Sequence, residues 1–156
     1  MKRTPRSSPR SGKLRRTVSI IGTGSYVPEK VLTNDDLSKI VDTNDEWITT
    51  RTGIKERRIA ADNEYTSDMG AKAARAAIEQ AGISAQEIDL ILVATASPDM
   101  VFPATACFVQ TKIGAKNAAC LDISAACAGF LFAIEIAQQL SPLTPTIPFS
   151  SSAPRN

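Results

Sequence analysis

The chain has 156 residues, 43% of them hydrophobic and 22% charged, with a formal net charge of +2, enough for one globular domain with a sizeable core. It contains no histidine, and its three cysteines, Cys107, Cys120 and Cys127, show no paired spacing; this argues against a zinc site or a disulfide scaffold and suits a reducing cytoplasm. The longest apolar stretch, Ala125 to Ile134, is too short to cross a bilayer and ends at Glu135, so no membrane association is expected.

The charge is unevenly placed. Residues 1–16 hold seven basic side chains (Lys2, Arg3, Arg6, Arg10, Lys13, Arg15, Arg16) and no acidic one, leaving 11 basic against 16 acidic residues in the rest. With Pro and Ser but no apolar run, 1–16 reads as a disordered basic arm or a misassigned start. A nucleic-acid-binding arm would need interleaved aromatics and an accommodating body, and this body carries −5, so no nucleic-acid partner is expected. An organellar transit segment shares the composition, but here the amphipathic pattern is weak.

The domain runs from 17 to 140. Thr17 to Gly24 reads as a buried strand entering a Gly turn closed by Pro28. Its Gly22-x-Gly24 lacks the third glycine and the following helix of a dinucleotide site. Thr33 or Asn34 caps a short helix, Asp35 to Val41, and a second runs from Asn44 to Thr50. Residues 51–65 are polar and charged, the composition of a long surface loop.

Thr66 or Ser67 then caps a helix that Gly82 stops after Ala81. Met69, Ala73, Ala76, Ala77 and Gln80 recur along it at three- and four-residue spacing, a face of small side chains suited to close packing. Asp89 to Thr95 is a continuous apolar strand of the kind buried on both faces. Pro103 opens a helix to Ile113, Ala118 to Ser124 is the next strand, and Ala128 to Leu140 the last helix. Strands alternating with helices predict an α/β fold with a mostly parallel sheet flanked by helices.

Cys127 sits where that last strand turns through small residues into the last helix. A helix start offers free backbone N–H groups and a partial positive charge, which favour thiolate over thiol. Ala125, Ala126, Ala128 and Gly129 leave room for an acyl group to approach the sulfur, so Cys127 is the candidate nucleophile. Cys107 and Cys120 lie in an apolar helix and an apolar strand and read as packing residues. Acyl chemistry at cysteine ordinarily uses a histidine to move protons, and this chain has none.

From about Val18 to Leu140 the chain resembles β-ketoacyl-[acyl-carrier-protein] synthase III of the thiolase-like condensing enzymes. The resemblance is carried by Ile21-Gly-Thr-Gly-Ser-Tyr-Val-Pro28, Asp42-Thr-Asn-Asp-Glu-Trp-Ile-Thr-Thr-Arg-Thr-Gly-Ile54, Ala94-Thr-Ala-Ser-Pro98 and Asp122-Ile-Ser-Ala-Ala-Cys-Ala-Gly-Phe130. It implies a transferase that initiates fatty-acid synthesis. By that resemblance Cys127 would accept an acyl group from acyl-CoA, and the thioester would condense with malonyl-acyl carrier protein. No cofactor or metal is implied, since acyl-CoA is a substrate. It implies further that Trp47 and Arg51, one helical turn apart, sandwich the CoA adenine with Thr43 close by. Phe102 would reach toward the acyl pocket of a partner in a homodimer, and the Cys127 N–H would serve as an oxyanion donor. A polyketide starter synthase is the related alternative.

The family continues well past Leu140 and there supplies its histidine and asparagine, so the chain reads as a truncated N-terminal thiolase-like portion. The alternative class is a non-catalytic fragment. Residues 141–156 hold four prolines and four serines in a run with nothing to pack, the composition of a disordered tail. Read one base out of frame, Phe149 to Ser152 admit consecutive apolar residues, similar to the strand the family places after this helix. A one-base frameshift near codon 141 is therefore expected in the nucleotide sequence.

Overall fold

Hydrophobic burial on both faces of one strand organises the molecule, a computed structural model that describes residues 18–140. The basic arm and the Pro/Ser tail lie outside the described residues. Nine regular elements follow in order: β1 (Lys30–Thr33), α1 (Asn34–Ser38), α2 (Asp45–Thr52), β2 (Glu56–Ile59), α3 (Thr66–Ala81), β3 (Leu90–Ala94), α4 (Thr105–Ile113), β4 (Ala119–Ile123) and α5 (Gly129–Leu140).

β3 and β4 pair in parallel, with Leu90 opposite Ala119 and Ala94 opposite Ile123. Ile91 and Val93 point to one face, where they pack with Ile88, Ala106, Val109, Ala115 and Ala118, and Ile78 of α3 and Ile113 of α4 close the cluster. Leu92 and Ala94 point to the other face, against Ala133 and Ala137 of α5. The alternation follows from the two-residue period of a strand. It bears out the expectation of a strand buried on both sides, and the helix–strand order bears out an α/β arrangement.

The expected first strand, Thr17 to Gly24, is corrected. Residues 18–24 carry no strand pairing among the described residues, and they lie along α3 instead. A Cβ at Gly22 would fall 2.3 Å from the carbonyl oxygen of Ala77, and one at Gly24 would fall 2.1 Å from that of Ala73. The two glycines therefore permit backbone-to-helix contact that any side chain would block. Gln80 Oε1 accepts from the Thr23 hydroxyl at 3.0 Å and fastens the segment to α3. Of the face expected on α3, Met69, Ala73 and Ala77 are buried, whereas Ala76 and Gln80 are exposed.

A second correction concerns residues 51–65. Four of them form β2, antiparallel to β1 with Lys30 opposite Ile59 and Thr33 opposite Glu56. The pair encloses α1 and α2 in sequence. Thr33 caps α1 through a reciprocal box with Asp36, and Asn44 Oδ1 caps α2 by accepting from Trp47 N at 2.8 Å. The hub is Asn34, which is buried. Its amide donates to Asp45 Oδ1 at 2.7 Å and to the Ile54 carbonyl at 2.8 Å, and its oxygen accepts from Arg57 of β2. The Asn34 amide first, and then the Thr49 hydroxyl, which donates to the same Asp45 oxygen at 3.1 Å, hold Asp45 below the usual carboxylate range.

Among the described residues, no helix is long and apolar enough to cross a membrane.

Candidate active site

β4 delivers the chain to Ala125, which leaves it at φ −144°, ψ 24°. Ala126 then adopts φ +43°, and among the described residues no other non-glycine has positive φ. Such a conformation in a residue with a Cβ costs about 1 kcal/mol and persists only where its surroundings enforce it. Residues Ala126–Ala128 form one 3₁₀ turn, with Ala128 N donating to the Ala125 carbonyl at 3.0 Å. The enforcing contact lies next to it. Gly129 is buried, and a Cβ there would sit 3.1 Å from the Ala94 Cβ of β3, so α5 starts directly on the strand. The turn lifts Cys127 clear of the packing, and its side chain is exposed.

Cys107 and Cys120 are half-buried. Burial pushes the Cys120 thiol up to about 11, with neighbouring Cys107 adding to the shift. A thiol held there stays protonated near neutrality and is a poor nucleophile. The molecule thus separates one solvent-facing cysteine at a helix start from two packed ones.

Trp47 and Arg51 meet on α2 as the spacing predicts, but with no gap between them. The Arg51 guanidinium carbon lies 4.5 Å from the centre of the Trp47 ring, and Arg51 Nη1 donates to the Trp47 carbonyl at 3.5 Å. A base between two stacking partners needs roughly twice the ~3.5 Å carbon–carbon contact distance. The sandwich is therefore closed in this structure by the cation itself. The outer face of Trp47 remains open, since the residue is 52% exposed. Thr43 Oγ1 is shielded from solvent and has no hydrogen-bond partner. Among the described residues, no hydrogen bond, ion pair or ring contact joins α2 to the Cys127 turn.

Phe102 stands out from the surface. It is 86% exposed and its neighbour Val101 98% exposed, and a cis peptide precedes Pro103. Sequence reasoning missed the groups that hold this spur. Asp122, the first residue of the cysteine motif, accepts from Thr105 N at 2.6 Å and from Ala106 N at 2.9 Å. Asp99 accepts from Ser67 N at 2.8 Å. The signal was present only as an unexplained acid opening the Cys127 motif, and its partners lie 16 and 17 residues away in sequence.

No family model matches the chain. It is 68% identical over 123 residues to a β-ketoacyl-[acyl-carrier-protein] synthase III of Clostridium acetobutylicum, covering 79% of this chain and 38% of that protein. It is 62% identical over 122 residues to a synthase III of Bacillus anthracis, covering 78% and 39%. Over that stretch the chain belongs to the β-ketoacyl-[acyl-carrier-protein] synthase III family. Among solved structures it is similar to 3-oxoacyl-[acyl-carrier-protein] synthase III of Aquifex aeolicus, with TM-score 0.75 and 56% identity over 78% of this chain and 39% of that one. The priming β-ketosynthase of the R1128 polyketide pathway matches with TM-score 0.77 and 39% identity, covering 83% and 40%. The chain spans less than two-fifths of the length of these two curated synthase III relatives.

Among the described residues, no cluster of histidine, cysteine, aspartate and glutamate side chains is placed to hold a metal ion.

Proposed function

We propose that Cys127 is the acyl-accepting nucleophile of a cytoplasmic condensing enzyme that begins fatty-acid synthesis. The observation that carries this reading is an exposed thiol on a strained turn at the amino end of α5, within the 123-residue stretch that is similar to synthase III. In the step proposed for this chain, the Cys127 thiolate attacks the thioester carbonyl of acyl-CoA. The C–S bond to Cys127 forms, negative charge gathers on the oxygen near the Cys127 N–H, and the bond to CoA breaks. CoA departs as a thiolate that takes up a proton from water, leaving acyl-Cys127.

Condensation with malonyl-acyl carrier protein is the second half of the family's reaction, and with no histidine in the chain that half belongs to residues this chain does not hold. The adenine of CoA stacks on the open face of Trp47, or displaces Arg51 to enter between the two, and Thr43 Oγ1 supplies a hydrogen-bonding atom still unused. Phe102 projects to the acyl pocket of a second copy. No cofactor takes part.

Incubation with radiolabelled acetyl-CoA tests the first step. Label held as a hydroxylamine-sensitive thioester, and lost in Cys127→Ala, is the expected result. No label on the parent chain overturns the reading and supports the second one, a non-catalytic fragment, which the missing histidine favours. The similarity to a priming ketosynthase keeps a polyketide starter role as a variant of the first reading. Acyl-chain preference, measured as relative labelling by different acyl-CoA thioesters, separates the two.

A further inference from the structure

The spur that carries Phe102 and the turn that carries Cys127 share one side chain. Helix α4 begins at Thr105, and its N-cap, Ala104, has no group able to bond the free N–H donors of the first turn. Asp122 meets that need from the neighbouring strand. Its two carboxylate oxygens each take one donor, Thr105 N at 2.6 Å and Ala106 N at 2.9 Å, and both bonds are charge-assisted at the positive end of the helix. Asp122 lies on β4, five residues before Cys127.

The other foot of the spur is pinned by similar means. Asp99 N donates to Thr105 Oγ1 at 3.2 Å and closes the spur at its base. Asp99 Oδ1 accepts from Ser67 N at the start of α3, and the Thr66 hydroxyl donates to the Ser97 carbonyl at 2.7 Å. Thr66, Ser67 and Thr105 are buried, so water does not compete for these bonds. Above this shielded base the apex residues Val101 and Phe102 are almost wholly exposed. A chain that buries the foot of a loop and exposes bulky apolar residues at its tip presents the tip in a fixed place.

We infer that Asp122 is a positioning residue that holds the Phe102 spur and the Cys127 turn in one fixed relation by capping α4 from β4. A cap at residue 104 would satisfy the helix equally well. Only a cap on β4 also ties the helix, and with it the spur, to the strand that delivers the nucleophile. The inference rests on the reading of Cys127 and Phe102 as acyl acceptor and projecting arm.

Nitroxide labels at Cys127 and at Phe102→Cys, in a Cys107→Ser, Cys120→Ala background, read the relation by dipolar electron spin resonance. The expected result is a single narrow distance distribution that Asp122→Asn widens at least twofold. Adding Ala104→Asp should restore the thermal midpoint and leave the distribution wide. A distribution that stays narrow in Asp122→Asn, is already wide in the parent, or narrows again with Ala104→Asp overturns the inference, the last outcome reducing Asp122 to a helix cap. Where Asp122→Asn alone does not fold, the double variant with Ala104→Asp is compared with the parent by the same criterion. No acyl donor enters this experiment, so failure of thioester formation and failure of the positioning role are read separately.

Discussion

The two faces of β3 are buried alike, but the layers that cover them differ in how much apolar surface they leave exposed. On the α3–α4 side, Ile91 and Val93 meet branched side chains from two helices and the cluster closes. On the α5 side, Leu92 and Ala94 meet mainly Ala133 and Ala137, while Phe130, Leu131 and Phe132 of the same helix stay exposed, Leu131 to 68%. The closed face holds the larger of the two buried clusters. The open face is the one on which Cys127 sits, and small residues there (Ala94, Ala125, Ala126, Ala128, Gly129) bring helix and strand close enough to force the turn outward. Stability and reactivity are thus drawn from opposite sides of one short sheet, and β4 has no second neighbour among the described residues. Unpaired strand edges beside exposed apolar side chains favour association with further polypeptide.

The strongest way to break this contrast is at the strand between the faces. Ile91 points to the closed face and is buried, so Ile91→Ala should cost about 3 kcal/mol in urea unfolding, whereas Leu131→Ala on the helix of the open face should stay within about 0.5 kcal/mol. Equal losses would mean that both layers are packed alike. The polar unit at β1–β2 comes next. Asn34→Ala removes a buried hub and strands Arg57 and the Ile54 carbonyl, and a loss of about 2 kcal/mol is expected by the same measurement.

At the turn, Ala126→Gly removes the left-handed penalty and should raise stability by about 1 kcal/mol. It should also loosen Cys127, seen as faster amide exchange at residues 127–129. A destabilised variant would show that Ala126 is held by its methyl contacts rather than against its backbone preference.

The smallest effect concerns acid. The Tyr26 hydroxyl donates to Glu64 Oε1 at 2.6 Å and Lys72 Nζ lies 2.9 Å from the same oxygen. These two partners, Tyr26 first, hold the Glu64 carboxyl below its usual range. A carboxyl depressed in the folded state lends stability above its unfolded value, about 4.3, and loses it as pH falls through the folded value. Tyr26→Phe should therefore lower stability at pH 7, make stability fall less on acidification than in the parent, and move the acid-unfolding midpoint upward by a fraction of a pH unit. An unchanged midpoint would assign the shift to Lys72 alone.

Much of this architecture was legible from local signals. The stop of α3 at Gly82, the doubly buried β3, and the helix that follows Cys127 each rest on neighbours in sequence, and the structure places them within a residue or two. The family was legible too, because the Trp47–Arg51 and Cys127 motifs are long and ordered. What failed depends on distant partners. β2 reads Glu-Arg-Arg-Ile, and its charges hide a strand that only pairing with β1 creates. The segment at Gly22 and Gly24 has strand composition, yet its contacts are to the backbone of α3. The closed Trp47–Arg51 stack could not be told from an open one by spacing, since both fit one helical turn. The task of Asp122 is hidden within its motif because the N–H groups it caps belong to another element.

Site-resolved alkylation tests the central claim, that one thiol of three is turned outward for attack. Limiting iodoacetamide at pH 7, followed by mass spectrometry of the peptides bearing Cys107, Cys120 and Cys127, should show Cys127 modified at least ten times faster than Cys120. Equal rates, or a Cys127 slower than Cys120, would contradict the account.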